Sequence, residues 1–485
     1  MARTRMSLET PDRNYSINVG AGFDMAAGEW IQGPRGDMVL NGGIANFSVC
    51  TGPGNVGKSL ILYYWQAKIL TRVHSHEPLG MIYDSESNIN PSRVNHVMSN
   101  VSDSDLKEFI NISNPDASTI LYTDRTKIYP DFWWSDFKKY LKSIAKDKSY
   151  LYEPFSSNGV KVMAKPPFPV IIDSWSKFDP KAVDDMMDKS KSEDGSTNTI
   201  FMKAGSFKTK VLGQIPTVAS KPNVYFLTTA HVGSANDMNE NKYSKPMKKL
   251  HDLKDGEVLK KVTEEFYYLT KLMWKVVGKR ILKDDEKQPY YRVKRGVEQS
   301  EKDLYVVKLE TLRSKHGGTG NVIEVVISQE DGVLEDVTYL YNLKNNNFAL
   351  AGTANFASVF LPDVKVTRHT VRETMKKNKK LFRAMQIGYD LYQLKKFFPV
   401  YERGGLYVDP QTLYTGLIEK GYDWDDILTN TRNWWDDDHY NERPENRDRE
   451  KCLTIVSLLE MYHGIYTPWW LEEKWSKNGK SRKRA

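Results

Sequence analysis

Two cysteines in 485 residues, Cys50 and Cys452, are too few for a disulfide framework, so a reduced, cytosolic compartment is expected. No uninterrupted apolar run approaches the roughly 18 residues that span a bilayer, and no membrane partner is expected. The opening Met1-Ala2-Arg3-Thr4-Arg5-Met6 is basic with no apolar stretch behind it, which argues against a secretory signal. Charge of one sign is also scarce. Seventy Lys+Arg against 62 Asp+Glu leave a net +8, too little for this size to announce a polyanionic partner. What is there is ordinary: 40% hydrophobic and 12% aromatic residues, enough to build a core. That composition excludes collagen-like, low-complexity and wholly disordered classes. At about 100–200 residues per domain, the length predicts two or three domains.

Resolved along the chain, the charge is a patchwork. Lys365–Lys396 holds ten Lys/Arg and two acids, a net +8. Lys242–Lys261 nets +4, whereas Asp423–Glu445 nets −6. Each such run, taken alone, is equally well read as solvated surface. No internal repeat is evident.

Strand candidates are Ile44–Cys50, Gly80–Asp84, Pro169–Asp173, Asn223–Ala230, Leu304–Leu309 and Asn321–Ile327, with a buried helix over Leu60–Leu70. Nearly continuous apolar strands separated by helical stretches predict an α/β fold, with a mostly parallel twisted sheet covered by helices on both faces. Beyond residue 345 the pattern changes. A basic helix is expected over Val371–Phe398, followed by acidic, aromatic segments that hold six of the twelve tryptophans. The predicted organisation is an N-terminal segment (1–36), an ATPase-type core (37–345) and a helical, aromatic-rich C-terminal domain (346–485).

Gly52-Pro53-Gly54-Asn55-Val56-Gly57-Lys58-Ser59 fits G-x-x-x-x-G-K-[ST] at every fixed position, between an expected strand and an expected helix. The glycines let backbone N–H groups turn inward as an anion nest, and the following helix points its positive end at the phosphates. Lys58 would reach the β/γ-phosphates of ATP, and the Ser59 hydroxyl would ligate Mg²⁺.

Asp173 ends an apolar strand, the pattern of a carboxylate that holds the magnesium shell opposite Ser59. Glu86 lies just past the strand that follows the phosphate-loop helix, where a carboxylate can polarise the attacking water. Asp84 is the rival for that role, and spacing alone does not separate the two.

Over roughly Asp37–Leu340 the order of motifs resembles the RecA-type recombinases, specifically the phage UvsX-like branch. The residues that carry the resemblance are the phosphate loop, Tyr83-Asp84-Ser85-Glu86, Ile171-Ile172-Asp173-Ser174 and Thr228-Thr229-Ala230-His231. It implies a RecA-like core, Glu86 as catalytic glutamate, and His231 as a γ-phosphate sensor leading into a mobile DNA-binding loop. Two features depart from the pattern. The interval from Glu86 to Asp173 is long and contains an apparent hairpin (Ser149–Pro166), and no N-terminal oligomerisation segment can be matched. The insertion leaves Lys189–Thr199 as the best candidate for a first DNA loop.

The second loop, Ser234–Gly256, carries Lys242, Lys245, Lys248 and Lys249, which suit sequence-independent phosphate contacts, with Tyr243 available to stack on a base. The basic stretch Arg368–Lys396 is a second candidate surface for duplex DNA. In RecA-like assemblies a basic residue after a core strand can reach the neighbouring subunit's γ-phosphate. Arg313 is the expected one here, with Lys315 and Lys308 behind it.

The resulting expectation is an ATP-dependent DNA recombinase that forms filaments on single-stranded DNA and pairs it with duplex DNA. ATP would sit at interfaces between copies, with other phage replication and recombination proteins as possible partners. If phage-encoded, the protein would work in the host cytoplasm. Two alternatives remain: a ring-forming replicative helicase, and an ATP-gated DNA-binding scaffold with little hydrolysis. Few residues precede the phosphate loop, and a K-x-R-N-G run is missing near Arg313, both of which count against the helicase.

Overall fold

The computed structural model describes residues 16–33, 35–72, 78–101, 109–111, 113–146, 165–189, 196–220, 223–234, 253, 257–293, 299–435 and 450–471. The chain is α/β, built on one ten-stranded mixed sheet. Its strands are β1 (Phe47–Gly52), β2 (Gly80–Asp84), β3 (Ile120–Asp124), β4 (Phe168–Asp173) and β5 (Val224–Ser234). The remaining strands are β6 (Glu257–Leu259), β7 (Leu272–Ile281), β8 (Leu304–Ser314), β9 (Val322–Ser328) and β10 (Gly332–Val333). The spatial order is β10-β9-β8-β7-β1-β5-β4-β2-β3, with β6 paired to β5.

From β7 to β3 every neighbouring pair is parallel. The parallel part therefore ends all its strands at one edge, where ligands of α/β proteins gather. The sheet is mostly parallel, as the apolar strands suggest, but not throughout. β8, β9 and β10 continue it antiparallel. Their apolar runs look like parallel strands because both of their faces are buried too, and burial rather than direction sets the pattern. Four strands of the sheet escaped the sequence reading, the short β6 and β10 among them. β3 is an edge strand with only its ends buried, and β7 turns polar in its second half.

Helix α1 (Lys58–Arg72) starts on the phosphate loop and lies against one face. It is apolar nearly all round, and Ile61, Leu62, Trp65, Ile69 and Leu70 are fully buried. Each such side chain contributes roughly 1.5–3 kcal/mol. Helix α2 (Pro91–Ser99) follows β2, and the Asn90 side chain caps it by accepting from the Ser92 and Arg93 amides. On the opposite face lie α3 (Pro130–Lys146), α4 (Lys181–Lys189), α5 (Ser196–Ser220) and α6 (Glu264–Leu269). There the stacked Trp133 and Phe137 rings meet Phe168 and Phe226 in an aromatic cluster.

The N-terminal segment belongs to the core, for Phe23 packs edge-on against both Trp65 and Trp274. Past residue 345 the apolar cluster also continues. Val337 and Leu340 of α7 (Glu335–Asn345) pack with Leu381, Met385 and Tyr389. The expected basic helix is two helices, α8 (Val371–Lys377) and α9 (Lys379–Phe397). Asn378 breaks them, with an extended backbone and a side chain that accepts from the Leu381 amide. The region is also not wholly helical, because residues 350–366 form a three-stranded antiparallel sheet. No described helix is long and apolar enough to cross a membrane.

Candidate phosphate-binding site

Four parallel strands carry the candidate residues to one edge. Gly52 is the register partner of His231 and Asp173 of Asp84, while Ile172 pairs with Thr228, so Asp173 stands beside Thr229, two residues before His231. Elementary strand geometry then decides which side chains share a face. Thr229 and His231, two apart on β5, point the same way.

The phosphate loop leaves β1 at Gly52 and enters α1 at Lys58. Asn55 and Gly57 both have positive φ, 58° and 89°. At Gly57 glycine is required by space as well, because a Cβ there would stand 2.6 Å from the Tyr305 hydroxyl oxygen. Lys58 is buried and donates to the Pro53 carbonyl across its own loop. Burial pushes its ammonium pKa down, against the pull of Cys50, Asp173 and Glu86.

Asp173 is buried at the end of β4. Its carboxylate accepts from the Thr229 hydroxyl at 2.5 Å and from the Ser59 hydroxyl. Burial raises its pKa, and the nearby Glu86 and Asp84 charges raise it further. A buried carboxylate served only by hydroxyls and flanked by other acids is a place where a hard dication gains. Ser59 and Asp173 are oxygen donors of the type magnesium takes, the rest of its shell coming from phosphate and water. Among the described residues no group of three His, Cys, Asp or Glu side chains forms a closed metal cage. An open, substrate-completed magnesium site fits these donors.

The two acids after β2 are now distinct. Asp84 is fully buried and spends its carboxylate on the turn, accepting from the Glu86 amide at 2.9 Å and the Ile89 amide at 2.7 Å. Glu86 projects from that turn, half-buried. It accepts from the Ser174 hydroxyl at 2.7 Å and lies 3.5 Å from Nε2 of His231. The His231 contact, more than any other influence, draws the Glu86 carboxyl down to about 2, with burial opposing and Ser174 assisting. Ser85 ties the two strand ends together through the Ser174 carbonyl at 2.7 Å.

The strand that presents His231 does not stop there. Val232, Gly233 and Ser234 pair antiparallel with Leu259, Val258 and Glu257 of β6, and the Lys260 amide donates to the His231 carbonyl at 2.7 Å. His231 therefore stands next to the antiparallel β5–β6 pair, between whose strands in sequence lies the segment expected to bind DNA. Lys275 of β7 forms an ion pair with Glu257 at the hairpin's returning strand.

Lys242, Lys245, Lys248 and Lys249, with Tyr243, lie outside the described residues, as do most of Ser149–Pro166 and the acids Asp436–Asp438. Of Lys189–Thr199, residues 190–195 are outside, and the flanks belong to α4 and α5. Arg313 is not brought to the loop of its own chain. It pairs with Met273, itself level with Val49, three residues or about 10 Å before Gly52. Much of the basic stretch Arg368–Lys396 is already engaged. Arg383 is buried on Thr431, Gln386 and Leu453, Lys380 pairs with Asp425, and Arg372 with Asp331.

Thr229 and Ser174, which hold Asp173 and Glu86, were not assigned from sequence, although both lie inside the quoted motifs. The strand alternation that puts Thr229 beside His231 was the available signal. No protein-family model matches this chain, and no curated protein matches it.

Proposed function

We propose that this chain is an ATP-dependent DNA recombinase with a RecA-like core, acting as a filament on single-stranded DNA. The observation that carries the reading is the convergence at one sheet edge of Lys58, Ser59, Asp173, Glu86 and His231, with His231 continuing into the hairpin toward the lysine-bearing loop.

The chemistry follows from the side chains. Lys58 exchanges the Pro53 carbonyl for phosphate oxygens when a nucleotide enters the loop. Ser59 and Asp173 would hold a magnesium ion, which would supply positive charge against the phosphates. Glu86 is ionised throughout the neutral range and is too weak a base to strip water of its proton early. It accepts a hydrogen bond from the attacking water and orients it. A bond forms from that oxygen to the γ-phosphorus, the bond to the β-bridging oxygen breaks, and the water's proton passes to the phosphate product. His231, in contact with Glu86, senses whether the γ-phosphate is present, and the β5–β6 stem carries that state to the DNA loop. Arg313 would act only on a neighbouring copy's nucleotide.

Electron microscopy with single-stranded DNA and a slowly hydrolysed ATP analogue tests the assembly. Helical filaments are expected. Closed rings would instead support a helicase, and unassembled particles a scaffold.

A further inference from the structure

β7 runs on past the last rung it shares with β1, Thr51 with Lys275, and so passes alongside the phosphate loop. Val276 packs against Gly52 there. Three residues on, Lys279 donates from Nζ to the Asn55 carbonyl at 3.0 Å, and its ammonium stands 3.9 Å above the centroid of the Tyr305 ring. The same Tyr305 closes the space beside Gly57. One aromatic side chain thus supports both the loop and the cation next to it. Lys279 itself is exposed, and among the described residues the Asn55 carbonyl is the one acceptor its ammonium uses. An ammonium has three N–H groups, so two are open to a ligand.

We propose that Lys279 is a second cation of the nucleotide site, contacting the polyphosphate of a bound nucleoside triphosphate from the rim opposite Asp173 and Glu86. The sheet order places it there, since β7 flanks β1 on one side while β5, β4 and β2 lie on the other. This rests on the phosphate-loop reading. Lys58 supplies charge from within the loop. Lys279 supplies it from outside, held in place by a ring face and a carbonyl, so little side-chain freedom is lost on binding. Its contribution must scale with ligand charge, because the interaction is between point charges partly screened by water.

The test is equilibrium binding of fluorescent ATP, ADP and AMP to wild type, Lys279→Met, Lys279→Arg and Lys58→Ala, at low and high salt. Lys279→Met should weaken ATP roughly tenfold, ADP less and AMP least, flatten the salt dependence, and be largely rescued by Arg. Equal weakening of all three nucleotides with unchanged salt dependence would make Lys279 a structural brace and overturn the inference. So would wild-type affinity in Lys279→Met. A wild type that binds no nucleotide, indistinguishable from Lys58→Ala, would overturn the phosphate-loop reading as well.

Discussion

Nε2 of His231 lies 3.5 Å from Oε1 of Glu86, joining the carboxylate proposed to orient water to the strand that goes on to pair with β6. Both residues are only partly buried, and the contact reaches from the turn after β2 to β5, across the intervening β4. Under the proposed function it joins a chemical part and a signalling part that separate substitutions can address.

Glu86→Gln keeps an acceptor for Ser174 and removes the charge. Turnover of ATP should fall by about 10²–10⁴ while nucleotide affinity stays close to wild type. Steady-state hydrolysis beside equilibrium binding checks this. Unchanged turnover would return the role to Asp84, which the geometry assigns to holding the turn.

His231→Ala removes the largest influence that depresses the Glu86 carboxyl, leaving burial to push it the other way. In wild type, Glu86 at about 2 stays ionised across the working range, so kcat/KM has no acid limb from it. In the variant that limb should move up toward the ordinary carboxylate range, Ser174 and Lys177 still holding it down. Superimposable pH–rate profiles from about pH 3 to 7 would show that the contact does not tune Glu86.

Asp390 of α9 is fully buried beside a small cavity that it shares with Asp24 and Tyr339, and it accepts from Asn433 at 2.8 Å. Burial raises its carboxyl to about 7, with Asn433 and Arg383 pulling it down. The unfolded chain loses this proton near 4, so between about pH 4 and 7 the folded state holds more protons than the unfolded one. Acidification through that window therefore stabilises the fold, and the benefit is lost as pH rises through about 7. Asp24, also raised to about 7 by burial, acts in the same direction. Asp390→Asn should flatten, but not abolish, the fall in melting temperature from pH 5 to 7. A slope equal to wild type would contradict the buried, protonated carboxyl.

Much of this site was readable in the chain because its signals are local. A glycine pattern between strand and helix, and acids after apolar strands, need no knowledge of distant contacts. Gly80–Asp84 was bounded as found, and Phe168–Asp173 nearly so. What escaped depends on pairing across the sheet. Lys279 stands in a strand whose polar second half resembles a loop, and only its parallel rungs with β1 reveal where it goes. The choice between Asp84 and Glu86 likewise needed the amides that Asp84 holds. In the basic stretch after Arg368, likewise, sequence shows the charge but not the Asp331 and Asp425 that meet Arg372 and Lys380.

ATP hydrolysis by the full chain, with and without single-stranded DNA at low salt, tests the central claim most directly. If the γ-phosphate site and the lysine-bearing loop are coupled through His231, DNA must accelerate hydrolysis, and Lys58→Ala must abolish it in both conditions. A wild-type rate indifferent to DNA, or hydrolysis that survives in Lys58→Ala, would contradict the account.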